Sequence, residues 1–285
     1  MARALPLLGR TVLVSGAASG IGRQLALDLA VKEQARLILL DRDVEGLAKV
    51  AEAIDRASGE PRVTMSLSCD VANAQETAAA VAALGTMSID ALVNNAGVVY
   101  AGTFECMEMS DFERVVAVNL LGAARLARLT LPHLFRSRDP VIVNVASLAG
   151  LLGAPGLCAY SASKFGLVGF SEALAAELAG RVEVLTVCPA FVRTQVASAA
   201  MMRSGDPAER AARATAMNRW LERMGTSPAK ASRVIIASMK RRRRLTLINP
   251  DAHLLFHLKR LWPSLTGTVV GAAYRGLRRR GVIGE

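Results

Sequence analysis

The chain is expected to fold as one α/β domain, a doubly wound parallel sheet with helices on both faces. Three observations predict it. Short apolar runs alternate with stretches of helical periodicity along most of the 285 residues. The first apolar run opens directly into a glycine-rich turn and then a helix, the order in which a βαβ unit begins. No internal repeat or low-complexity linker divides the chain, and its length suffices for one large core.

The first strand is read over residues 10–15, Arg-Thr-Val-Leu-Val-Ser. The turn Gly16-Ala17-Ala18-Ser19-Gly20-Ile21-Gly22 follows, then a helix from Arg23 to about Glu33. Glycines there let backbone approach a pyrophosphate, and a helix N-terminus adds N–H donors and partial positive charge. The spacing, Gly-x-x-x-Gly-x-Gly, differs from the common Gly-x-Gly-x-x-Gly. The second strand, Ala35 to Leu40, ends in Asp41, about 20 residues after the turn, where a carboxylate would bind adenosine ribose hydroxyls and repel a 2′-phosphate. Arg42 and Arg23 are placed to oppose that preference, and Asp41 could equally cap the next helix. Further strands are expected at Val63–Leu67, Ala91–Asn94, Val141–Ala146, Val182–Val187 and Leu245–Ile248.

Tyr160 and Lys164 stand four residues apart, which on a helix sets phenol and ammonium on one face. A fixed cation favours phenolate, so Tyr160 is expected to have a lowered pKa. Ser147 ends the strand that begins at Val141, and its hydroxyl would stand at the carboxyl edge of the sheet, where open α/β folds place ligands. A Tyr–Lys pair at this spacing is also an ordinary surface pair, so the rest of the chain must decide its meaning.

Gly16, Gly20, Ile21 and Gly22, the run Asn94-Asn95-Ala96-Gly97, Asn119, Ser147, Tyr160, Lys164 and the stretch Pro189 to Thr194 occur together and in this order. In this set, over roughly residues 8–250, the chain resembles the short-chain dehydrogenase/reductase family. The resemblance implies a Rossmann-type fold and an oxidoreductase interconverting an alcohol and its carbonyl compound. It implies that Tyr160 is the general acid/base, that Lys164 lowers its pKa and holds the nicotinamide ribose, and that Ser147 orients the substrate oxygen. Asn119 would hold a water linking Lys164 to solvent. Gly16, Ser19, Gly20, Ile21 and Gly22 would cradle the pyrophosphate, Asp41 and Arg42 would meet the adenosine ribose, and Asp70 and Val71 would lie beside the adenine. Asn95, Ala96 and Gly97 would line the cofactor cleft, with Pro189, Val192 and Thr194 at the carboxamide end of nicotinamide. NAD is the expected cofactor, with NADP as the alternative. Ser15 replaces the family's usual Thr, and Ala190 stands where Gly is common, which would be strained if that position needs positive φ.

Cys69, Cys106, Cys158 and Cys188 have no metal-type spacing, and no metal is expected. Cys158 is read as small apolar packing rather than as a cleft group. The N-terminus lacks the pattern of a secretory signal, so reduced thiols and a cytoplasmic location are expected. Val98, Val99 and Tyr100, Leu148 to Leu152 with Leu157, and Phe191 are expected to wall the substrate cleft. The segment Gln195–Met224, with Met201, Met202, Met217, Trp220, Leu221 and Met224, resembles the family's substrate lid. Few charged anchors fall in these segments, which suggests a lipophilic small-molecule substrate.

The Rossmann-type domain is expected over residues 1–250, with its lid at about 195–224, and a basic helical extension over 251–285. Residues 240–285 hold eleven Lys/Arg against two Asp/Glu, a local +9 of the formal net +11. Asn249 and Pro250 read as the cap and first turn of a helix, followed by a second apolar segment from Leu265 to Leu277. This extension could pack on the domain or a neighbouring subunit, touch a membrane peripherally, or bind phosphate non-specifically; no nucleic-acid recognition fold accompanies it. By resemblance, the helices near Ser110–Phe135 and Tyr160–Leu178 form a homodimer face, commonly within a homotetramer. The reading is therefore an NAD-preferring alcohol dehydrogenase. Its alternatives are an NADPH-dependent ketone or 3-oxoacyl reductase and an NAD-binding scaffold or membrane-recruited sensor with little turnover.

Overall fold

The computed structural model describes residues 6–193, 215, 219, 222 and 225–279. Seven parallel strands form one sheet in the order β3-β2-β1-β4-β5-β6-β7. They are β1 (Thr11–Ser15), β2 (Arg36–Asp41), β3 (Val63–Ser68), β4 (Ala91–Asn94), β5 (Val141–Val145), β6 (Glu183–Pro189) and β7 (Leu245–Ile248). All seven coincide with the expected runs to within two residues. Among the described residues, the α-helices with defined bounds are α1 (Gly20–Val31), α2 (Val44–Ser58), α3 (Ala74–Ala82), α4 (Met109–Val116), α5 (Ala123–Leu134), α6 (Cys158–Glu177), α7 (Pro228–Arg241), α8 (Pro250–Leu261) and α9 (Pro263–Arg279).

Side chains alternate across a strand, so a strand buried on both faces must be apolar throughout. Val12 and Val14 of β1 pack among Leu25, Leu29, Val50 and Ile235, which belong to α1, α2 and α7. Leu13, between them, packs on the opposite face with Val81, Leu126 and Leu134 of α3 and α5. The edge strand β3 instead alternates half-buried and exposed residues. A buried Ser232 hydroxyl of α7 donates to Asp28 of α1 at 2.6 Å and joins the two helices.

Asp43, not Asp41, caps α2: its carboxylate accepts from the Gly46 N–H at 2.9 Å. That leaves Asp41 for the cleft. Asn249 precedes α8 as expected but makes no side-chain cap; its Oδ1 accepts from the Thr226 hydroxyl at 2.6 Å. Ala190 is not among the residues with positive φ, so the strain expected there is absent. α4 and α5 join through a π-helical turn, Ala117–Gly122. The continuous run Met109–Leu134 is long and apolar enough to cross a membrane, but it buries Asp111, Asn119 and Thr130 within the protein.

The chain lays β3 and β2 on one side of β1, then crosses to place β4 on the other. The reversal opens a crevice at the carboxyl ends of β1 and β4, the usual ligand position of this topology.

Candidate active site

The glycine turn enters that crevice. Gly16 has φ +67°, and a Cβ there would lie 2.7 Å from the Ala96 Cα. A Cβ on Gly22 would lie 2.0 Å from the Gly16 carbonyl oxygen. Only glycine at both places lets α1 start against the turn. Ser15 joins the two strand ends: its hydroxyl accepts from the Asn95 and Ala96 N–H groups at 3.1 and 3.2 Å. The Asn95 side chain donates to the Ser15 and Gly16 carbonyls, both at 3.1 Å. Ser19 stands at the N-cap of α1 without a side-chain cap bond, so the first N–H groups of α1 have no cap from Ser19. A backbone cradle that excludes Cβ atoms, ending on a helix N-terminus without a side-chain cap, fits the pyrophosphate of a dinucleotide.

Asp41 lies at the end of β2. Its carboxylate accepts from the Ala18 N–H at 3.0 Å and the Asp43 N–H at 3.1 Å, so it is fixed beside the glycine turn. Arg42 follows it and is exposed. Asp70 accepts from Arg114 at 2.6 Å and from the Ala72 N–H at 3.0 Å. Burial would raise its pKa, yet the hydrogen bonds and the Arg114 charge hold the carboxyl below its usual range. Val71 is buried beside it, against Gly122 of the π-helical turn.

Ser147, Tyr160 and Lys164 come together at the other end of the crevice. Ser147 follows β5 and caps a 3-10 turn, Leu148–Gly150; its hydroxyl accepts from the Ala149 N–H at 3.1 Å. The same hydroxyl donates to the Pro189 carbonyl at 3.5 Å and lies close enough to the Tyr160 phenol to pull its pKa down. Lys164 lies one turn beyond Tyr160 on α6, and its Nζ is 5.7 Å from the tyrosine ring centroid. Nζ donates to the Val145 carbonyl at 2.9 Å. Lys164 is 3% exposed, and among the described residues no carboxylate pairs with it. Burial lowers its pKa to about 8. Burial also raises the Tyr160 pKa, and Ser147 offsets this only in part. The expected lowering of the Tyr160 pKa is therefore corrected for the protein without cofactor: desolvation of the phenol outweighs the stabilisation of the phenolate by Ser147. The neighbouring Cys188 thiol is pushed up to about 12 by burial and stays neutral.

Asn119 sits in the π-helical turn, a device that recurs at functional sites. Its Oδ1 accepts from the Val98 N–H at 2.8 Å, and its Nδ2 donates to the Val98 carbonyl at 2.9 Å and to Ser163 at 3.0 Å. A Cβ on Gly97 would lie 3.3 Å from the Asn119 Oδ1 and 3.6 Å from the Lys164 Nζ, so Gly97 lets the cleft floor approach both. Ser163 and Arg114 were not singled out by sequence reasoning. Ser163 stands inside the Tyr160–Lys164 step and could have been noticed there; Arg114 pairs with Asp70 only through the fold.

Of the cleft walls, Val98, Val99, Leu151, Leu152 and Leu157 are half-buried and Phe191 is exposed. Tyr100 is fully buried with Val115 and Ala159, and its hydroxyl donates to the Cys106 carbonyl at 3.0 Å, so it backs the wall instead of lining it. Cys158 is exposed at the start of α6, not packed as expected. Pro189 closes β6, and Val192 bridges to Thr226. Thr194 and the apolar residues of the segment 195–224 lie outside the described residues. Among the described residues, no cluster of His, Cys, Asp and Glu could hold a metal.

A family model described as short chain dehydrogenase matches residues 10–205. The oxidoreductase SadH of Mycobacterium tuberculosis is 38% identical over 205 residues, 70% of this chain and 72% of the relative. A short-chain dehydrogenase/reductase from Burkholderia phymatum, solved with NAD, has a TM-score of 0.78 at 30% identity, covering 92% of this chain and 96% of that one. A short-chain dehydrogenase from Sphingobium yanoikuyae, solved with NADPH, has a TM-score of 0.72 at 26% identity, covering 93% and 95%. The chain belongs to the short-chain dehydrogenase/reductase family and is an oxidoreductase acting on CH–OH groups with an NAD(P) cofactor.

Proposed function

We propose that the protein interconverts a lipophilic secondary alcohol and its ketone, with NAD(H) as the preferred cofactor. The carrying observation is the convergence of Ser147, Tyr160 and the buried Lys164, whose Nζ lies 5.7 Å from the tyrosine ring centroid. The nicotinamide supplies the hydride acceptor or donor at its ring carbon. In oxidation, Tyr160 takes the hydroxyl proton; in reduction, it returns a proton to the carbonyl oxygen. Ser147 orients that oxygen and Lys164 holds the ribose, its charge favouring the phenolate. Asn119 fixes Val98 and keeps the floor of the cleft beside Lys164. Asp41 supports NAD, because its carboxylate is held beside the turn where a 2′-phosphate would be repelled. The half-buried aliphatic walls support an apolar substrate. Exposed Met109 and Leu121 on the α4–α5 run support a homodimer face there.

One observation favours a second reading, an NADPH-dependent ketone or 3-oxoacyl reductase. The exposed Arg42, next to Asp41 at the end of β2, could meet a 2′-phosphate. The experiment is NAD⁺ reduction by purified protein over secondary alcohols of graded apolar size, with ketones and NADPH as the reverse assay. Activity rising with apolar size on NAD⁺ supports the first reading. Activity confined to NADPH and ketones selects the second.

A further inference from the structure

α8 and α9 have two unlike faces. Ala252 of α8 is buried beneath Leu255 and Phe256, and Lys259 is seated over the Phe165 ring at 4.3 Å while donating to the Leu151 carbonyl. On α9, Thr266 is buried, Val270 and Tyr274 are half-buried, and Tyr274 approaches Gly156. Both helices thus lean on the segment Leu148–Leu157, the wall of the cleft. The outward face carries Leu254, Leu261, Trp262, Leu265 and Val269, each more than half exposed. Leu254 and Leu261 are seven apart on α8, and Leu265 and Val269 four apart on α9, so each pair shares one helix face. Leu261, Trp262 and Leu265 meet where the two helices join.

The charge of this segment is net positive. From Pro250 to Glu285 the chain has six Lys or Arg against Asp251 and Glu285, a local +4. Arg260 and Arg275 are exposed on these helices. A second copy binding by the same face would set like charges together, since a two-fold interface pairs a patch with itself. Phosphate backbones would match the charge but give no place to the leucines and valine. An anionic lipid surface meets both features. We propose that the α8–α9 face docks the protein on an anionic membrane surface, with Leu254, Leu261, Trp262, Leu265 and Val269 at the acyl boundary. Docking there sets the cleft wall Leu148–Leu157 close to the lipid.

The test is co-sedimentation of the full chain with phosphatidylcholine vesicles, with and without phosphatidylglycerol. A Trp220→Phe background leaves Trp262 as the only indole of the two in the chain. Sedimentation with anionic vesicles, weakened by salt and accompanied by a blue shift of Trp262 emission, is expected. The pair Leu261→Asp, Leu265→Asp should weaken partitioning about tenfold or more, with NADH binding retained as the check of folding. The proposal is overturned by sedimentation with neither vesicle, by equal binding to neutral ones, or by undiminished binding of the double variant. It is also overturned if the double variant dissolves a dimer of a wild type that ignores vesicles.

Discussion

The Lys164 Nζ lies 5.7 Å from the Tyr160 ring centroid and donates to the Val145 carbonyl, so a backbone carbonyl holds a buried cation beside the phenol. A charge buried without a carboxylate costs stability. Its pKa falls from 10.5 to about 8, which corresponds to roughly 3 kcal/mol against the charged form at neutral pH. The sign follows from proton counts. Between about 8 and 10.5 the unfolded chain binds the proton and the folded chain does not, so stability rises with pH there. Below about 8 the cost is fully present. Lys164→Met is therefore expected to abolish turnover while being no less stable at neutral pH, with any gain shrinking as pH rises from about 8 to 10.5. Thermal melts at both pH values check this; a clear loss of stability at neutral pH would contradict it.

Gly22→Ala would place a Cβ 2.0 Å from the Gly16 carbonyl oxygen, a backbone atom with little freedom to move. Overpacking of this kind costs about 1–3 kcal/mol. The variant should lose both that stability and affinity for NADH. Gly153→Ala, where an added Cβ meets nothing within 4 Å, should lose neither. Denaturant melts and NADH titration compare the pair.

Asp41→Asn removes the negative charge yet keeps an oxygen for the Ala18 N–H. The ratio of kcat/KM for NADP over NAD should rise about tenfold, the equivalent of 1.4 kcal/mol. An unchanged ratio would remove Asp41 from cofactor choice.

The Asp70–Arg114 pair makes a pH-dependent contribution. Because the folded pKa of Asp70 lies below 3.8, the contribution is present above 3.8 and is lost as pH falls through the folded value. The pair is partly exposed, with side chains 26% and 32% accessible, so solvent screening limits it to about 1 kcal/mol. Arg114→Met should lower stability by that amount at neutral pH and by less in acid. A difference independent of pH would refute the assignment.

Much of this was legible in the residues. Strands buried on both faces, such as β1 and β5, are mostly apolar, with Asn144 the one amide in β5, so their positions could be read nearly to the residue. The glycine turn and the Ser147–Tyr160–Lys164 spacing were legible because each depends on local backbone geometry. What failed to show depended on tertiary surroundings. Burial sets the direction of the Tyr160 pKa, and spacing carries no burial. The choice of Asp43 over Asp41 as helix cap turns on where β2 ends, a matter of one residue. The π-helical turn at Ala117–Gly122 has no compositional mark. The seating of Lys259 and Tyr274 against the cleft wall joins segments about a hundred residues apart, beyond the reach of helical periodicity.

The central claim is that Tyr160 moves the proton while the rest of the crevice holds the cofactor. The measurement is turnover and NADH affinity in Tyr160→Phe, which removes only the phenol hydroxyl beside Ser147. Turnover lowered by at least about a hundredfold, with NADH affinity kept, is the expected result. Turnover equal to the unsubstituted protein would contradict it and place the acid/base elsewhere.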